Sequence, residues 1–306
     1  MKNFLLVIGV LIMSCNSESS TSSKQKQSEV GLFELVSPAL SGIEFQNSIT
    51  EDDNINYINF DGIYYGAGSA VVDINNDGLQ DVFFVSNQGP DKLFLNKGDL
   101  VFEDISAKAG IQGGKEWGSG VTASDVNGDG FMDIYVCCHL LEDEELRKNK
   151  LYINNKDNTF TERAKEFGLD DAGYSIHAGF FDYDVDGDLD LFVVNQAPNY
   201  LPKRKSLNGL QDYRYTSNLY RNEDQKFVKV TLEAGVQSYA YSLSVSLGDL
   251  TNDGLPDIYI ANDYEEPDIF YMNQGNGKFG NIAQNSLKHM SNFSMGSDIA
   301  DINNDG

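Results

Sequence analysis

Apolar residues in this chain come in short runs, too brief for helices and too regular for loops. Val82-Phe-Phe-Val, Ile134-Tyr-Val, Leu191-Phe-Val-Val and Ile258-Tyr-Ile are rich in β-branched and aromatic residues, which predicts strands. An Asp-rich segment precedes each, and before that segment stands a strand of small residues, usually with glycine. These are Gly66-Ala-Gly68-Ser-Ala-Val-Val, Gly118-Ser-Gly120-Val, His177-Ala-Gly179-Phe-Phe and Ser242-Leu-Ser-Val, with Ser294-Met-Gly296 opening a fifth copy. A third strand follows, ending in asparagine: Leu93-Phe-Leu-Asn96, Leu151-Tyr-Ile-Asn154, Leu219-Tyr-Arg-Asn222 and Phe270-Tyr-Met-Asn273. A polar turn then leads to Phe102, Phe160, Phe227 or Phe279, and three units close with Ala109-Gly110-Ile111, Phe167-Gly168-Leu169 or Ala234-Gly235-Val236.

Four short strands in a repeat of about fifty residues is the pattern of a propeller blade. A stacked solenoid is the main rival, but its repeats are shorter and carry one or two strands per turn. The expected fold is therefore all-β, a β-propeller of four-stranded blades with four complete units and the start of a fifth.

The segment between the first two strands of each unit carries the candidate chemistry. Asp73-Ile-Asn75-Asn-Asp77-Gly78-Leu79-Gln-Asp81 returns as Asp125-Val-Asn127-Gly-Asp129-Gly130-Phe131-Met-Asp133. It returns again as Asp182-Tyr-Asp184-Val-Asp186-Gly187-Asp188-Leu-Asp190 and as Asp249-Leu-Thr251-Asn-Asp253-Gly254-Leu255-Pro-Asp257. A fifth copy starts at Asp301-Ile-Asn303-Asn-Asp305-Gly306, where the sequence ends, so the chain reads as the N-terminal part of a longer protein. Oxygen-bearing side chains fall at positions 1, 3, 5 and 9, and glycine at 6, as in a shortened EF-hand loop. Position 7 would add a backbone carbonyl, from Leu79, Phe131, Asp188 or Leu255.

All these ligands are hard oxygens, which selects calcium over zinc or copper. Magnesium fits less well, because it demands a tight octahedron and gives up water reluctantly. The plainer reading is a solvated Asp/Asn/Gly hairpin turn. Charge weighs against it, since carboxylates about 4 Å apart repel by roughly 4 kcal/mol per pair at an effective dielectric of about 20. The expectation is about one calcium per complete repeat, with loop four weaker because Thr251 replaces Asn or Asp and Pro256 stiffens position 8.

Composition supports this. The chain has 47 acids against 22 bases, a formal charge of −25, which excludes a phosphate-backbone binder. Sixteen of those acids lie in the loops, so the candidate sites account for most of the imbalance.

With these residues in hand, the repeats resemble the FG-GAP/VCBS repeats of integrin-α-type propellers over about residues 43 to 306. The segment Phe102-Glu-Asp-Ile-Ser-Ala-Lys-Ala-Gly-Ile111 is similar to the branch containing cartilage acidic protein and bacterial ASPIC/UnbV lipoproteins. The resemblance implies a ring that usually has seven blades, calcium between the first two strands of a blade, and adhesion or ligand binding in place of catalysis.

The N-terminus reads as an address. An apolar run from Phe4 to Met13, after Lys2, is too short to span a bilayer. Leu11-Ile12-Met13-Ser14-Cys15 resembles a bacterial lipoprotein signal, with Cys15 lipidated as the mature N-terminus; a plain secretory signal is the other reading. The expected division is a signal over residues 1–14, a flexible tether over 15–30 and the propeller over 31–306. That places the protein outside the cytoplasm, on the periplasmic or surface side of a bacterial envelope.

Three cysteines exclude a disulfide framework, and adjacent Cys137 and Cys138 read as two small buried hydrophobes on opposite faces of a strand. His139, His177 and His289 are scattered without a nucleophile motif or ligand spacing, and His177 reads as packing. The stretch Glu142 to Lys150 reads as a charged surface helix. An insertion from Gln196 to Ser217 holds Lys203, Arg204, Lys205 and Arg214 with Tyr200, Tyr213 and Tyr215. It reads as a solvated excursion or as a patch for a glycan or anionic partner. Two functions remain: a non-catalytic envelope scaffold binding a protein or glycan, or an accessory domain of a larger envelope enzyme acting on polysaccharide, with its catalytic part beyond residue 306.

Overall fold

The short apolar runs pair as strands because each is buried on both faces, and only a neighbouring sheet can cover the second face. The computed structural model describes residues 33–111, 113–196, 213–264 and 266–303. Cys15, the signal and tether segments, most of the basic insertion and Asp305 lie outside the described residues. The chain divides into two units, Met1–Val36 and Ser37–Gly306. Of the first, residues 33–36 are described and carry no helix or strand. The second contains the blades.

Blade one is built of β1 (Ser69–Val72), β2 (Asp81–Phe84), β3 (Lys92–Asn96) and β4 (Phe102–Asp104). Blade two uses β5 (Trp117–Ser124), β6 (Asp133–His139), β7 (Lys150–Asn154) and β8 (Phe160–Glu162). Blade three uses β9 (Ser175–Phe181), β10 (Asp190–Asn195), β11 (Asn218–Asn222) and β12 (Phe227–Lys229). Blade four uses β13 (Ser242–Gly248), β14 (Asp257–Asn262), β15 (Ile269–Asn273) and β16 (Phe279–Asn281). Each sheet is an antiparallel meander in sequence order. These are the blades of a β-propeller, as the strand pattern predicts. Among the described residues no helix is long and apolar enough to cross a membrane.

Three cores form, one between each pair of neighbouring blades. Phe83, Val85 and Leu93 meet Ile134, Val136 and Tyr152; Tyr135, Cys137 and Leu151 meet Leu191, Val193 and Tyr220; Phe192, Val194 and Leu219 meet Ile258, Ile260 and Tyr271. Cys137 and Cys138 are both buried and free, as expected of small hydrophobes on a doubly covered strand.

The glycines of the first strands have a steric cause. A Cβ on Gly120 would lie 2.4 Å from the Ile176 carbonyl oxygen of the next blade, and one on Gly68 would lie 2.9 Å from the Val121 nitrogen. A Cβ on Gly179 would meet only the Leu247 side chain. Gly120→Ala is therefore expected to destabilise by about 3 kcal/mol, the upper range for overpacking, and Gly179→Ala by about 1 kcal/mol because Leu247 can turn away. Urea midpoints of the two variants check this, and equal shifts would refute it.

Short helices α2 (Ser106–Ala109), α4 (Ala164–Phe167) and α5 (Thr231–Ala234) join successive blades, α1 (Pro38–Ser41) precedes blade one, α6 (Ala283–Ser286) follows blade four, and α3 (Glu144–Arg147) lies within blade two between β6 and β7. The sequence reads Ala109-Gly110-Ile111 and its counterparts as closing a unit. In the structure they face forward. Gly42, Gly110, Gly168 and Gly235 end α1, α2, α4 and α5 in the left-handed region. The nearest atoms to a Cβ at these four glycines are the carbonyl oxygens of Phe102, Phe160, Phe227 and Phe279, each in the fourth strand of the following blade.

The charged stretch from Glu142 to Lys150 forms only the single turn of α3, capped by Asp143, with Lys148 paired to Glu145 on its outer side. Arg147 departs from the surface reading: it is 1% exposed. Its guanidinium donates to the carbonyls of Leu141, Glu142 and Ala172 and sits 4.4 Å over the Tyr174 ring. Backbone carbonyls accept from Nε and Nη1 and the Tyr174 ring faces the guanidinium, in place of a carboxylate partner.

Candidate metal centre

Every Asp-rich segment is the connection between a blade's first two strands. The residue before position 1 pairs with position 9 in all four complete copies: Val72 with Asp81, Ser124 with Asp133, Phe181 with Asp190 and Gly248 with Asp257. Two residues in each loop take left-handed backbone. Position 6 is glycine, at φ of 85, 86, 98 and 86°. Nothing lies within 4 Å of a Cβ built there, so the glycine answers a dihedral and not a lack of space.

Position 4 is the other, occupied by Asn76, Gly128, Val185 and Asn252. A β-branched residue is poorly suited to that region, and Val185 sits there at φ 59° with its side chain 57% exposed. Val185→Asn is expected to stabilise by about 1 kcal/mol, the strain of one left-handed residue. Thermal unfolding in chelator reads it, and an unchanged or lower midpoint would refute the strain.

The carboxylates divide into two kinds. Position 1 organises the loop, accepting the N–H groups of positions 5 and 6. For Asp73 these are at 3.2 and 2.8 Å, and Asp125, Asp182 and Asp249 repeat the arrangement. Position 5 accepts the N–H of position 7, which fixes the peptides of Leu79, Phe131, Asp188 and Leu255. Asn75 and Asn127 accept the N–H of position 5.

Position 9 differs, because Asp81, Asp133, Asp190 and Asp257 have no solvent exposure. One oxygen of each accepts the N–H of position 2, from Ile74, Val126, Tyr183 or Leu250, always at 3.0 Å. The other accepts the N–H of the asparagine that ends the third strand, Asn96, Asn154, Asn222 or Asn273, at 2.7 to 2.9 Å. That asparagine's amide donates in turn to the carbonyl of position 8. Its part in the site has no signature in loop spacing. The available signal is its recurrence at the end of every third strand.

Burial, opposed by these hydrogen bonds and assisted by the neighbouring carboxylates, raises the pKa of Asp190 to about 7 and that of Asp133 to about 6. Asp188 rises to about 6 through burial and then repulsion from Asp186, Asp184 and Asp182. Asp81, Asp184 and Asp257 shift the same way. Elsewhere, burial lifts Asp91 to about 6, while burial and then Arg147 push His139 down to about 3.

These shifts set a pH dependence for the metal-free protein. The raised carboxylates hold protons in the folded state that the unfolded chain releases, so their contribution to stability is lost as pH rises from about 4 to 7. Buried His139 and half-buried His177 oppose this below about pH 6.5, where the unfolded imidazoles charge. The carboxylates outnumber them, so the chelated protein should melt about 3 °C higher at pH 5.5 than at pH 7. Calcium should abolish that gain, and a lower midpoint at pH 5.5 in chelator would refute it.

Loop three brings its carboxylates closest. Oxygens of Asp182, Asp184 and Asp190 lie within 4.8 Å of one another, the one such trio among the described residues. Asp186 and Asp188 are not part of it. In the other complete loops the third position is Asn75, Asn127 or Thr251, so an amide or hydroxyl stands where loop three has a carboxylate. In loop two, Lys156 Nζ approaches Asp129 at 3.4 Å. Of loop five, Asp301 and Asn303 are described, in a stretch without helix or strand.

Two observations show that these loops suit a hard cation. Asp188 Oδ1 in loop three and Thr251 Oγ1 in loop four are buried oxygens without a hydrogen-bond partner. The donors around them are carboxylate, amide and hydroxyl oxygens, with no nitrogen or sulfur ligand in the loops.

The sequence reading of the remaining residues holds in part. His177 packs in β9, its Nδ1 accepting the Val245 N–H at 3.2 Å. At the described edge of the insertion, Tyr215 is buried against Tyr174 at 5.5 Å between ring centroids and is not displayed to solvent.

A family model for FG-GAP-like repeats matches residues 73–136, 141–193 and 249–306, and all five loops fall within those stretches. Cartilage acidic protein 1 of Xenopus tropicalis is 42% identical over 69 residues, 22% of this chain and 11% of that protein. Human integrin alpha-8 is 29% identical over 142 residues, 42% of this chain and 13% of its own length. This chain therefore matches only a small share of either relative. A solved structure of an Agrocybe aegerita lectin, described for specific recognition of non-reducing terminal N-acetylglucosamine, aligns with a TM-score of 0.36 and 19% identity, covering 69% of this chain and 49% of that one. With more than half of its length inside the matched repeats and each blade carrying the same loop, this chain belongs to the FG-GAP-like repeat family.

Proposed function

We propose that the chain is a calcium-stabilised, non-catalytic binding scaffold, exported and held to a bacterial envelope by lipid on Cys15, presenting its blade loops to a protein or glycan. The observation that carries the calcium reading is loop three, where Asp182, Asp184 and Asp190 converge beside the orphaned Asp188 oxygen. Bound calcium would supply the positive charge those oxygens lack. The residues of the chain do the rest: position 1 shapes the loop, position 5 holds the peptide at 7, and position 9 ties the loop to the sheet. Binding in place of catalysis is supported by the use of the acidic residues as loop organisers and brackets, and by the burial of His139 away from solvent.

Calorimetric titration of the full chain with calcium tests the reading. About one ion per complete loop is expected, with loop four weakest, and magnesium at the same concentration should not compete. Absence of heat and of bound calcium by dialysis would defeat it. For the anchor, Cys15→Ser should move the protein from the membrane fraction to the soluble fraction of the envelope.

A further inference from the structure

Neighbouring loops are joined unequally, and the joining group is the amide of the third-strand asparagine. Asn154 Nδ2 donates to Met132 O of its own loop at 3.1 Å and to Ile74 O, position 2 of loop one, at 2.7 Å. Asn273 Nδ2 likewise donates to Pro256 O at 3.1 Å and to Tyr183 O, position 2 of loop three, at 2.8 Å. Asn222, at the same place in blade three, reaches only Leu189 O of its own loop, at 3.2 Å. A continuous relay follows in two of the three cases. Asp81 accepts from the Ile74 N–H, Ile74 O accepts from the Asn154 amide, and the Asn154 N–H is held by Asp133. Asp190, Tyr183, Asn273 and Asp257 form the second relay. Loops one and two also share a bond from Asn76 Nδ2 to Gly130 O at 2.8 Å. Toward loop two, blade three offers only the exposed bond from Gln225 Nε2, in the turn after β11 and outside loop three, to Asn127 O at 3.4 Å.

We propose that Asn154 and Asn273 are positioning residues that couple cation binding in pairs, loop one with loop two and loop three with loop four, while loops two and three fill independently. The inference rests on the calcium reading above. An ion that fixes loop two fixes Asp133, then Asn154, and through its amide the Ile74 peptide and Asp81. Loop one then needs less ordering to take its own ion, and linkage makes the effect reciprocal. In blade three the chain of bonds stops at Leu189, so order in loop three is not handed to loop two.

The test follows each loop separately. In the full chain carrying isotope-labelled glycine, the amides of Gly78, Gly130, Gly187 and Gly254 report the four loops during a calcium titration. Asp129→Ala, which disables loop two, should raise the calcium midpoint at Gly78 about five-fold, the lower end of typical coupling, and leave Gly187 and Gly254 unchanged. Asp184→Ala should raise the midpoint at Gly254 and leave Gly130 unchanged. In an Asn154→Ala background the effect of Asp129→Ala on Gly78 should shrink to what the Asn76–Gly130 bond carries, whereas Asn222→Ala should leave every coupling as it was. Should Asn154→Ala fail to fold, the Asp129→Ala and Asp184→Ala titrations decide alone. Four independent midpoints, or four that move together, would overturn the pairing. No response at any of the four glycines would overturn the calcium reading and the coupling with it.

Discussion

Chelating calcium is expected to lower the melting temperature of the full chain by about 10 °C or more, with full recovery when calcium is returned and none with magnesium. A ligand present at a hundred times its dissociation constant stabilises the folded state by about 2.7 kcal/mol per site. In a domain of this size, each kcal/mol moves the midpoint by roughly 2 °C or more. The carboxylates of loop three also repel one another without an ion, and Asp188 Oδ1 has no hydrogen-bond partner. The gain should fall short of a simple sum over loops, because stability in a repeat array is largely local and one blade can open before the others. A melting curve indifferent to chelator would remove calcium from the account of this protein.

The second large effect separates the two kinds of carboxylate. In chelator, Asp133→Ala is expected to cost about 3 kcal/mol, because it strips the buried N–H groups of Val126 and Asn154 of their acceptor. Asp129→Ala, four residues earlier, should cost less than about 1 kcal/mol under the same conditions, since Asp129 and the Phe131 N–H it holds are only partly buried and water can replace the carboxylate. With calcium present both should lose the loop-two ion. Denaturation with and without chelator gives the four numbers. Equal losses in chelator would mean that position 9 is not the bracket described above.

Spacing alone made positions 1, 3, 5 and 9 look equivalent, because each brings an oxygen to the same turn. What distinguishes position 9 is the sheet around it: Asp81 and its counterparts start a buried strand and face two N–H groups, one from a residue in another strand. Information of that kind arises only when the third strand is laid beside the second. The propeller itself was legible because strand length, turn chemistry and period all agree within each repeat. The glycine-rich first strands could be marked in the sequence, but their cause, the Ile176 carbonyl against Gly120, belongs to a neighbouring blade. Arg147 was hidden in a charged run, where a buried guanidinium resembles its exposed neighbours until the carbonyls of Leu141, Glu142 and Ala172 close around it.

The forward-facing helices have a bearing on synthesis. A ribosome makes each helix–glycine pair before the blade whose last strand it abuts, so Gly42 is already in place when Phe102 emerges, and Gly110 when Phe160 does. Every blade is thus born against a finished seat and completed only when its fourth strand arrives. Growth of the array is directional: a nascent chain halted between blades would expose a helix awaiting its strand.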